Sequence, residues 1–166
     1  NKLNLKRKCK IDNYLHKASK IIVNKLVTNN LNTLVIGKNM GWKQDINNGK
    51  INNQNFVNIP HSRFIDMLSY KCERRGINVI CKEESYTSKA SFLDLDLIPT
   101  YKKGDNTNYK FSGRRIKRGQ YKSKSGRLIN ADVNGAYNIL RKAIPNAFSN
   151  GIEGVGVHPI NIKLIK

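Results

Sequence analysis

Acidic side chains are scarce in this 166-residue sequence: 11 Asp and Glu stand against 31 Lys and Arg, for a formal net charge of +20 at pH 7. Cysteine is nearly as sparse. Cys9, Cys72 and Cys81 are odd in number and scattered, which excludes a disulfide framework and fits a reducing compartment. No run approaches the ~20 apolar residues of a membrane span. The basic stretch from Asn1 to Lys10 is followed by no apolar segment, so no secretory signal is expected. Apolar residues make up 39%, below the usual ~45–50%, yet they cluster in segments able to bury a core, which excludes wholesale disorder. The length suits one domain of ordinary size, and no internal repeat is present.

What is abundant is Asn (23), Lys (22) and Ile (19), the usage of an AT-rich coding sequence, which adds Lys without any need for a polyanion. Compositional drift explains neither the missing carboxylates nor the placement of the charge. Residues 102–127 hold ten Lys and Arg against Asp105 alone, and residues 1–10 hold five with no acid. A stripe of this kind is the electrostatic footprint of a phosphate-backbone binder; a solvated basic loop is the plainer alternative.

Ile11, Tyr14, Leu15, Ala18, Ile22 and Leu26 recur at spacings of three and four and predict a helix from Asp12 to Val27, stopped at Asn29 and Asn30. Residues 32–37 form a short apolar run, as in a strand buried on both faces. Residues 38–58 show no apolar period and read as a long loop. Pro60 fits the first turn of a second helix with Phe64, Met67, Leu68 and Cys72 on one face, ending at Gly76, and 77–81 is a second strand. Strand, helix, strand makes a right-handed parallel unit. Residues 82–130 look irregular, polar and basic. Asp132 then reads as the N-cap of a last helix with Ala136, Ile139, Leu140 and Ala143 as its apolar stripe, closed by Pro145; the segment beyond is not placed by pattern. The class is α/β. Two strands are too few for an independent sheet, so further strands are expected, in the irregular part or, preferably, upstream of Asn1.

Carboxylates near loop and strand ends carry the candidate chemistry: Glu83 and Glu84 after the second strand, Asp94 and Asp96 in the loop, and Asp132 at a helix start. Carboxylates converging at the carboxyl edge of a sheet are what a Mg²⁺-dependent phosphodiesterase needs, because the hard cation takes oxygen ligands. A helix cap for Asp132 and a solvated strand end for Glu83 and Glu84 are the alternatives.

Five ordered motifs go further: Leu34-Val-Ile-Gly-Lys-Asn-Met-Gly-Trp-Lys-Gln44, Asn55-Phe-Val-Asn-Ile-Pro-His-Ser-Arg-Phe64, Glu83-Glu-Ser-Tyr-Thr-Ser-Lys89, Phe111-Ser-Gly-Arg-Arg-Ile-Lys-Arg-Gly119 and Asn130-Ala-Asp-Val-Asn-Gly-Ala-Tyr-Asn-Ile-Leu140. Together they resemble the OrfB (TnpB) transposases of insertion sequences, RNA-guided nucleases similar to compact type V CRISPR effectors. The resemblance runs to about Phe148 and covers the C-terminal half of a typical member. It implies a partial RNase H-like (RuvC-type) fold, with parallel strands, crossover helices and the N-terminal strands missing. It divides the chain into a core segment (1–86), a basic insert where relatives carry a zinc ribbon (87–129), the final helix (130–148) and a tail (149–166).

The family uses three acids. The third is Asp132; the first precedes Asn1; the second falls on Gly37, which has no side chain to offer. Glu83 or Glu84, one inter-strand step of ~5 Å away, is expected to replace it. Relatives bind zinc through two Cys-x-x-Cys pairs, but 87–94 and 114–130 hold no cysteine and His16, His61 and His158 are scattered, so zinc is not expected. Mg²⁺ or Mn²⁺ is the implied cofactor. Arg114, Arg115, Lys117 and Arg118, four cations within five residues, together with Lys122 and Lys124, are expected to contact nucleic-acid backbone. Trp42 and Lys43 either stack on a base and touch phosphate or anchor their own loop. Asn134 and Asn138, one turn apart, either face nucleic acid and orient the carboxylate or hold backbone.

The implied function is that of the C-terminal part of a transposon-encoded, RNA-guided, Mg²⁺-dependent DNA endonuclease. Its implied partners are DNA and a guide RNA transcribed from the transposon end, and it is expected in the cytoplasm near the nucleoid. Lacking the first Asp, these residues alone are expected not to cleave. A catalytically dead nucleic-acid binder is the alternative, and a ribosomal-type RNA-binding protein a third.

Overall fold

The computed structural model describes residues 2–38, 60–104 and 106–162. It divides into two compact units, one holding the described residues up to Ile36 and from Pro60 to Ile80, the other Gly37, Lys38 and those from Cys81 to Asn161. The described elements are α1 (Lys2–Thr28), β1 (Thr33–Gly37), α2 (His61–Glu73), β2 (Asn78–Lys82), β3 (Arg114–Lys117), β4 (Gln120–Lys122), β5 (Leu128–Asn130) and α3 (Ala131–Ala143).

β1 and β2 pair in a two-stranded sheet. The Asn78 amide donates to the Asn32 carbonyl and the Lys38 amide to the Lys82 carbonyl, each at 2.8 Å, so both numberings rise together and the pair is parallel. The first core gathers Val23, Leu68, Cys72 and Ile77, with Leu26, Leu34 and Phe64 against it. α1 begins ten residues before the point its apolar period marks, because Lys2 to Thr28 contains neither Gly nor Pro and its Lys and Leu are good helix formers. Its buried stripe is also rotated from the expected one: Leu15, Ser19 and Val23 are buried, while Tyr14 is 60% exposed. Ser19 tolerates this burial because its hydroxyl donates to the Leu15 carbonyl at 2.7 Å and accepts from Lys71 Nζ at 2.6 Å. α2 stops where Gly76, at φ +67°, lets its own amide reach the Glu73 carbonyl and that of Ile77 reach Cys72.

In the second unit β3, β4 and β5 form an antiparallel sheet in that order, inside the stretch that reads as irregular. Strands of three or four residues are too short to show an alternation, and β3 is exposed at every position. Of the two places expected for further strands, the irregular part does hold strands, at 114–130, but in a separate antiparallel sheet and not beside β1 and β2. Phe92, Tyr121, Ile129 and Ala131 make the second core. The tail, unplaced by pattern, closes it: Ile152, Val155 and Val157 pack there, the Val157 carbonyl accepts from the Asn130 amide at 2.8 Å, and the Gly156 carbonyl accepts from Tyr137 Oη at 2.9 Å. Among the described residues no helix is long and apolar enough to cross a membrane.

Phe92 is wholly buried, stacked on Tyr137 at 4.5 Å between ring centres with Phe148 edge-on at 4.9 Å. Phe92→Ala is expected to cost ~3–5 kcal/mol, read from the urea midpoint at unchanged slope. A cost below ~1 kcal/mol would show that this ring does not organise the core.

Candidate metal and nucleic-acid site

The carboxyl end of β2 releases Glu83 and Glu84 into different surroundings. Glu83 accepts from the Ser85 amide through Oε1 at 2.6 Å and from Lys142 Nζ through Oε2 at 2.5 Å. Lys142, whose side chain is only 6% exposed, also donates to the Ser85 carbonyl at 3.1 Å. Partial burial pushes the Glu83 carboxyl up, but the hydrogen bonds from Lys142 and Ser85 outweigh it and hold the group below the usual carboxylate range.

Glu84 is held through its backbone, its carbonyl accepting from the Thr87 amide at 3.2 Å and hydroxyl at 2.7 Å. Its carboxylate lies over Gly37. A Cβ placed on Gly37 would stand 2.6 Å from Glu84 Oε2 and 2.7 Å from Ile139 Cδ1, so the space a side chain at position 37 would enter is already filled by an acid from the neighbouring strand.

Asp132 is exposed in the first turn of α3 and is not the N-cap. That role belongs to Asn130, whose Oδ1 accepts from the amides of Asp132 at 2.9 Å and Val133 at 3.1 Å. The segment 130–132 offers two good cap residues two apart, and the chain's entry from β5 selects the earlier. Asp132 and Ile139, seven residues apart, share one face of α3 to within ~20°, roughly 10 Å along its axis. Among the described residues no three His, Cys, Asp or Glu side chains gather closely enough to hold a metal ion between them.

α3 buries a polar face. The stripe expected from Ala136, Ile139, Leu140 and Ala143 is exposed or half-buried, and Ala131, Asn134, Gly135 and Asn138 are buried instead. Asn134 Oδ1 accepts from the Phe92 amide at 2.9 Å and its Nδ2 donates to the Ala90 carbonyl at 2.8 Å. Asn138 Nδ2 donates to the carbonyls of Thr87 at 3.0 Å and Ala90 at 2.8 Å. The expectation that Asn134 faces nucleic acid is therefore corrected: with no exposed surface, it holds backbone.

Asp94 and Asp96 are structural as well. Asp94 accepts from the Ser91 hydroxyl at 2.6 Å and the Lys124 amide at 2.8 Å. Asp96 accepts from the amides of Ser91 at 2.8 Å and Ser112 at 3.0 Å, and from the Ser112 hydroxyl at 2.5 Å. These bonds tie the loop after β2 to the three-stranded sheet. Buried Tyr121 lies nearby; desolvation, then the charges of Asp96 and Asp94, push its phenol up to about 12.

The expected phosphate contacts are exposed. Arg114, Arg115 and Lys117 lie on β3, Arg118 in the turn that follows, Lys122 on β4 directly opposite Arg114, and Lys124 in the β4–β5 turn. Trp42 and Lys43 lie outside the described residues. Sequence reasoning missed Lys142, Ser91 and Ser112; the signal was the Asp94 and Asp96 pair, two acids close together in a chain with few.

An α/β arrangement with a parallel strand pair, its crossover helix and a carboxylate at the strand ends defines a partial RuvC-like fold. Residues 61–139 match the family model described as Cas12f1-like, TNB domain. A solved structure titled "Cryo-EM structure of the Cas12f1-sgRNA-target DNA complex" is similar in fold, with a TM-score of 0.58 at 17% identity over 87% of this chain. The present chain spans 36% of that one. No curated protein sequence matches.

Two outcomes follow. Because its folded carboxyl is depressed, Glu83 stabilises the protein above its unfolded value near 4.5, and this contribution is lost as pH falls through the lower folded value. The stability difference between the wild type and Glu83→Gln, measured by urea denaturation, should be full at pH 7 and shrink progressively as pH is taken below about 4.5. Asn134→Ala should cost ~2–4 kcal/mol by the same measurement, because it strands a buried amide and a buried carbonyl, with no change in nucleic-acid affinity for the fraction that is folded.

Proposed function

We propose that this chain is the C-terminal part of a transposon-encoded, RNA-guided DNA endonuclease, with Glu84 standing in for the acid missing at Gly37 and Asp132 as its partner acid. The observation that carries this reading is the Glu84 carboxylate filling the space over Gly37. Glu84 is favoured over Glu83 for the role by position, because its carboxylate lies over Gly37 while that of Glu83 is held by Lys142. The core segment, basic insert, final helix and tail keep the boundaries given above.

The donor set fits a hard divalent cation, Mg²⁺ or Mn²⁺: Glu84 brings carboxylate oxygen to a cradle that a Cβ on Gly37 would close, and exposed Asp132 lies on the same helix face as Ile139. Such a cation would polarise the scissile phosphodiester and lower the pKa of the attacking water. The protein's own part is positional. Lys142 holds Glu83 to one side, Thr87 fixes the turn that carries Glu84, and Ile139 borders the same space over Gly37. Arg114, Arg115, Lys117, Arg118, Lys122 and Lys124 bind the phosphate backbone of DNA and of a guide RNA, and Trp42 and Lys43 are further candidates for that contact. A cytoplasmic, nucleoid-associated location accompanies this reading.

In an intact parent nuclease, Glu84→Gln and Asp132→Asn are each expected to lower divalent-metal-dependent DNA cleavage by at least ~100-fold with DNA binding retained. Glu83→Gln should leave cleavage within ~10-fold. Full cleavage by Glu84→Gln would overturn the substitution. A parent that binds DNA but never cleaves it, with any divalent metal, would support the binding-protein alternative.

A further inference from the structure

The three residues centred on Glu84 are gripped at both ends by one side chain. Lys142 Nζ donates to Glu83 Oε2 at 2.5 Å and to the Ser85 carbonyl at 3.1 Å, so a single ammonium spans the residues on either side of Glu84. Glu83 closes the ring, its Oε1 accepting from the Ser85 amide at 2.6 Å. Ser85 Oγ accepts in turn from the Tyr101 amide at 3.1 Å, so each polar group of Ser85 has a partner. We infer that Lys142 is a positioning residue: it fastens the turn 83–85 to α3 and so sets where the Glu84 carboxylate stands relative to Asp132, which the other end of the same helix carries. The inference rests on the assignment of Glu84 and Asp132 above and deepens it, naming what holds the two acids at a fixed spacing.

A lysine in the last turn of a helix ordinarily extends its ammonium into water, yet the side chain of Lys142 is only 6% exposed. The attraction of a cation to a helix C-terminus does not turn the side chain inward. The pair of acceptors on Glu83 and Ser85 does. Neighbouring residues of α3 grip the same segment: Asn138 Nδ2 donates to the Thr87 carbonyl at 3.0 Å, and Ile139, one turn before Lys142, borders the space over Gly37 that Glu84 Oε2 fills. Residues 83–87 are thus tied to a rigid element within about one helical turn. Asp132 stands in the first turn of that element and Lys142 in the last, roughly 15 Å apart along the axis. Tyr86, directly after the gripped residues, sits at φ +62°, a backbone state that a bulky residue keeps only where its surroundings impose it. Without Lys142 the turn is released from one of those constraints, and Glu84 loses its fixed place over Gly37. Partners that orient a metal-binding carboxylate from outside the metal's own contacts typically change metal affinity by ~10–100-fold.

Hydrogen exchange of the purified chain, resolved by NMR, should show the Ser85 amide exchanging about tenfold faster or more in Lys142→Met than in the wild type, while the Phe92 amide, bonded to Asn134, keeps its rate. In the intact parent nuclease, Lys142→Met should raise the Mn²⁺ concentration for half-maximal cleavage by about tenfold or more at unchanged DNA affinity. Lys142→Arg, which keeps a cation able to reach both acceptors, should recover most of that loss. Glu83→Met combined with Lys142→Met replaces the ion pair by apolar groups; it should match the wild type in urea while the raised Mn²⁺ requirement persists. A wild-type Mn²⁺ requirement in the double variant or in Lys142→Met, or an unchanged Ser85 amide, overturns the inference and leaves Lys142 a structural partner of Glu83 only. Glu84→Gln, assayed alongside, separates the two readings. Full cleavage by Glu84→Gln overturns the underlying assignment, whereas a defect there with an unaltered Lys142→Met overturns the positioning role alone. If Lys142→Met does not fold, the double variant decides.

Discussion

The two buried amides of α3 hold the second unit together. Asn134 and Asn138 have no exposed surface, and between them they take up the carbonyls of Thr87 and Ala90 and the amide of Phe92. A loop that leaves a strand end and turns inward carries backbone polar groups that water cannot reach, and each would cost ~1–3 kcal/mol if left unmade. With those groups satisfied by side chains one helical turn apart, the loop lies flat on α3. Phe92 can then enter the core, and Glu84 is presented from a turn that is fixed at its far end.

The few acids are distributed by task. Asp94 and Asp96 accept hydrogen bonds from Ser91, Ser112 and Lys124 and knit loop to sheet. Charge-assisted bonds of this kind are stronger than neutral ones, which lets a handful of carboxylates fasten a segment that has little apolar surface. Glu83 is balanced by Lys142, while Asp132 sits exposed in the first turn of α3, where the helix dipole favours a negative charge. Basic side chains, by contrast, need no internal partner on this surface: Arg114, Arg115, Lys117 and Arg118 are all exposed.

Several features were legible from residues alone because they depend on local rules. Both strands of the parallel pair, α2 and its end at Gly76, and the position of α3 follow from apolar runs, capping chemistry and a left-handed glycine. The motif series pointed toward compact RNA-guided effectors, and residues 61–139 match a Cas12f1-like model; the exposure of the basic stretch follows from its charge density. Other features were misread because a competing interaction won. Asn130 displaced Asp132 as the cap because β5 delivers the chain into the helix two residues earlier. The buried stripe of α1 moved to Ser19 because Lys71 and a backbone carbonyl satisfied its hydroxyl. The strands at 114–130 escaped notice because three or four residues show no period.

By itself, then, the sequence determined which segments are helix or parallel strand, where positive charge is concentrated and which acids are candidates, since each of these is set by neighbours within a turn or two of chain. Tertiary structure alone decided the different fates of Glu83 and Glu84. The two are adjacent and chemically identical, and what separates them is contact over long sequence distances: Lys142 reaches back across 59 residues to hold one. The other lies over Gly37, on a strand more than forty residues earlier in the chain. No local pattern carries that information, because it arises only when Gly37, the turn after Lys82 and α3 come together within the second unit.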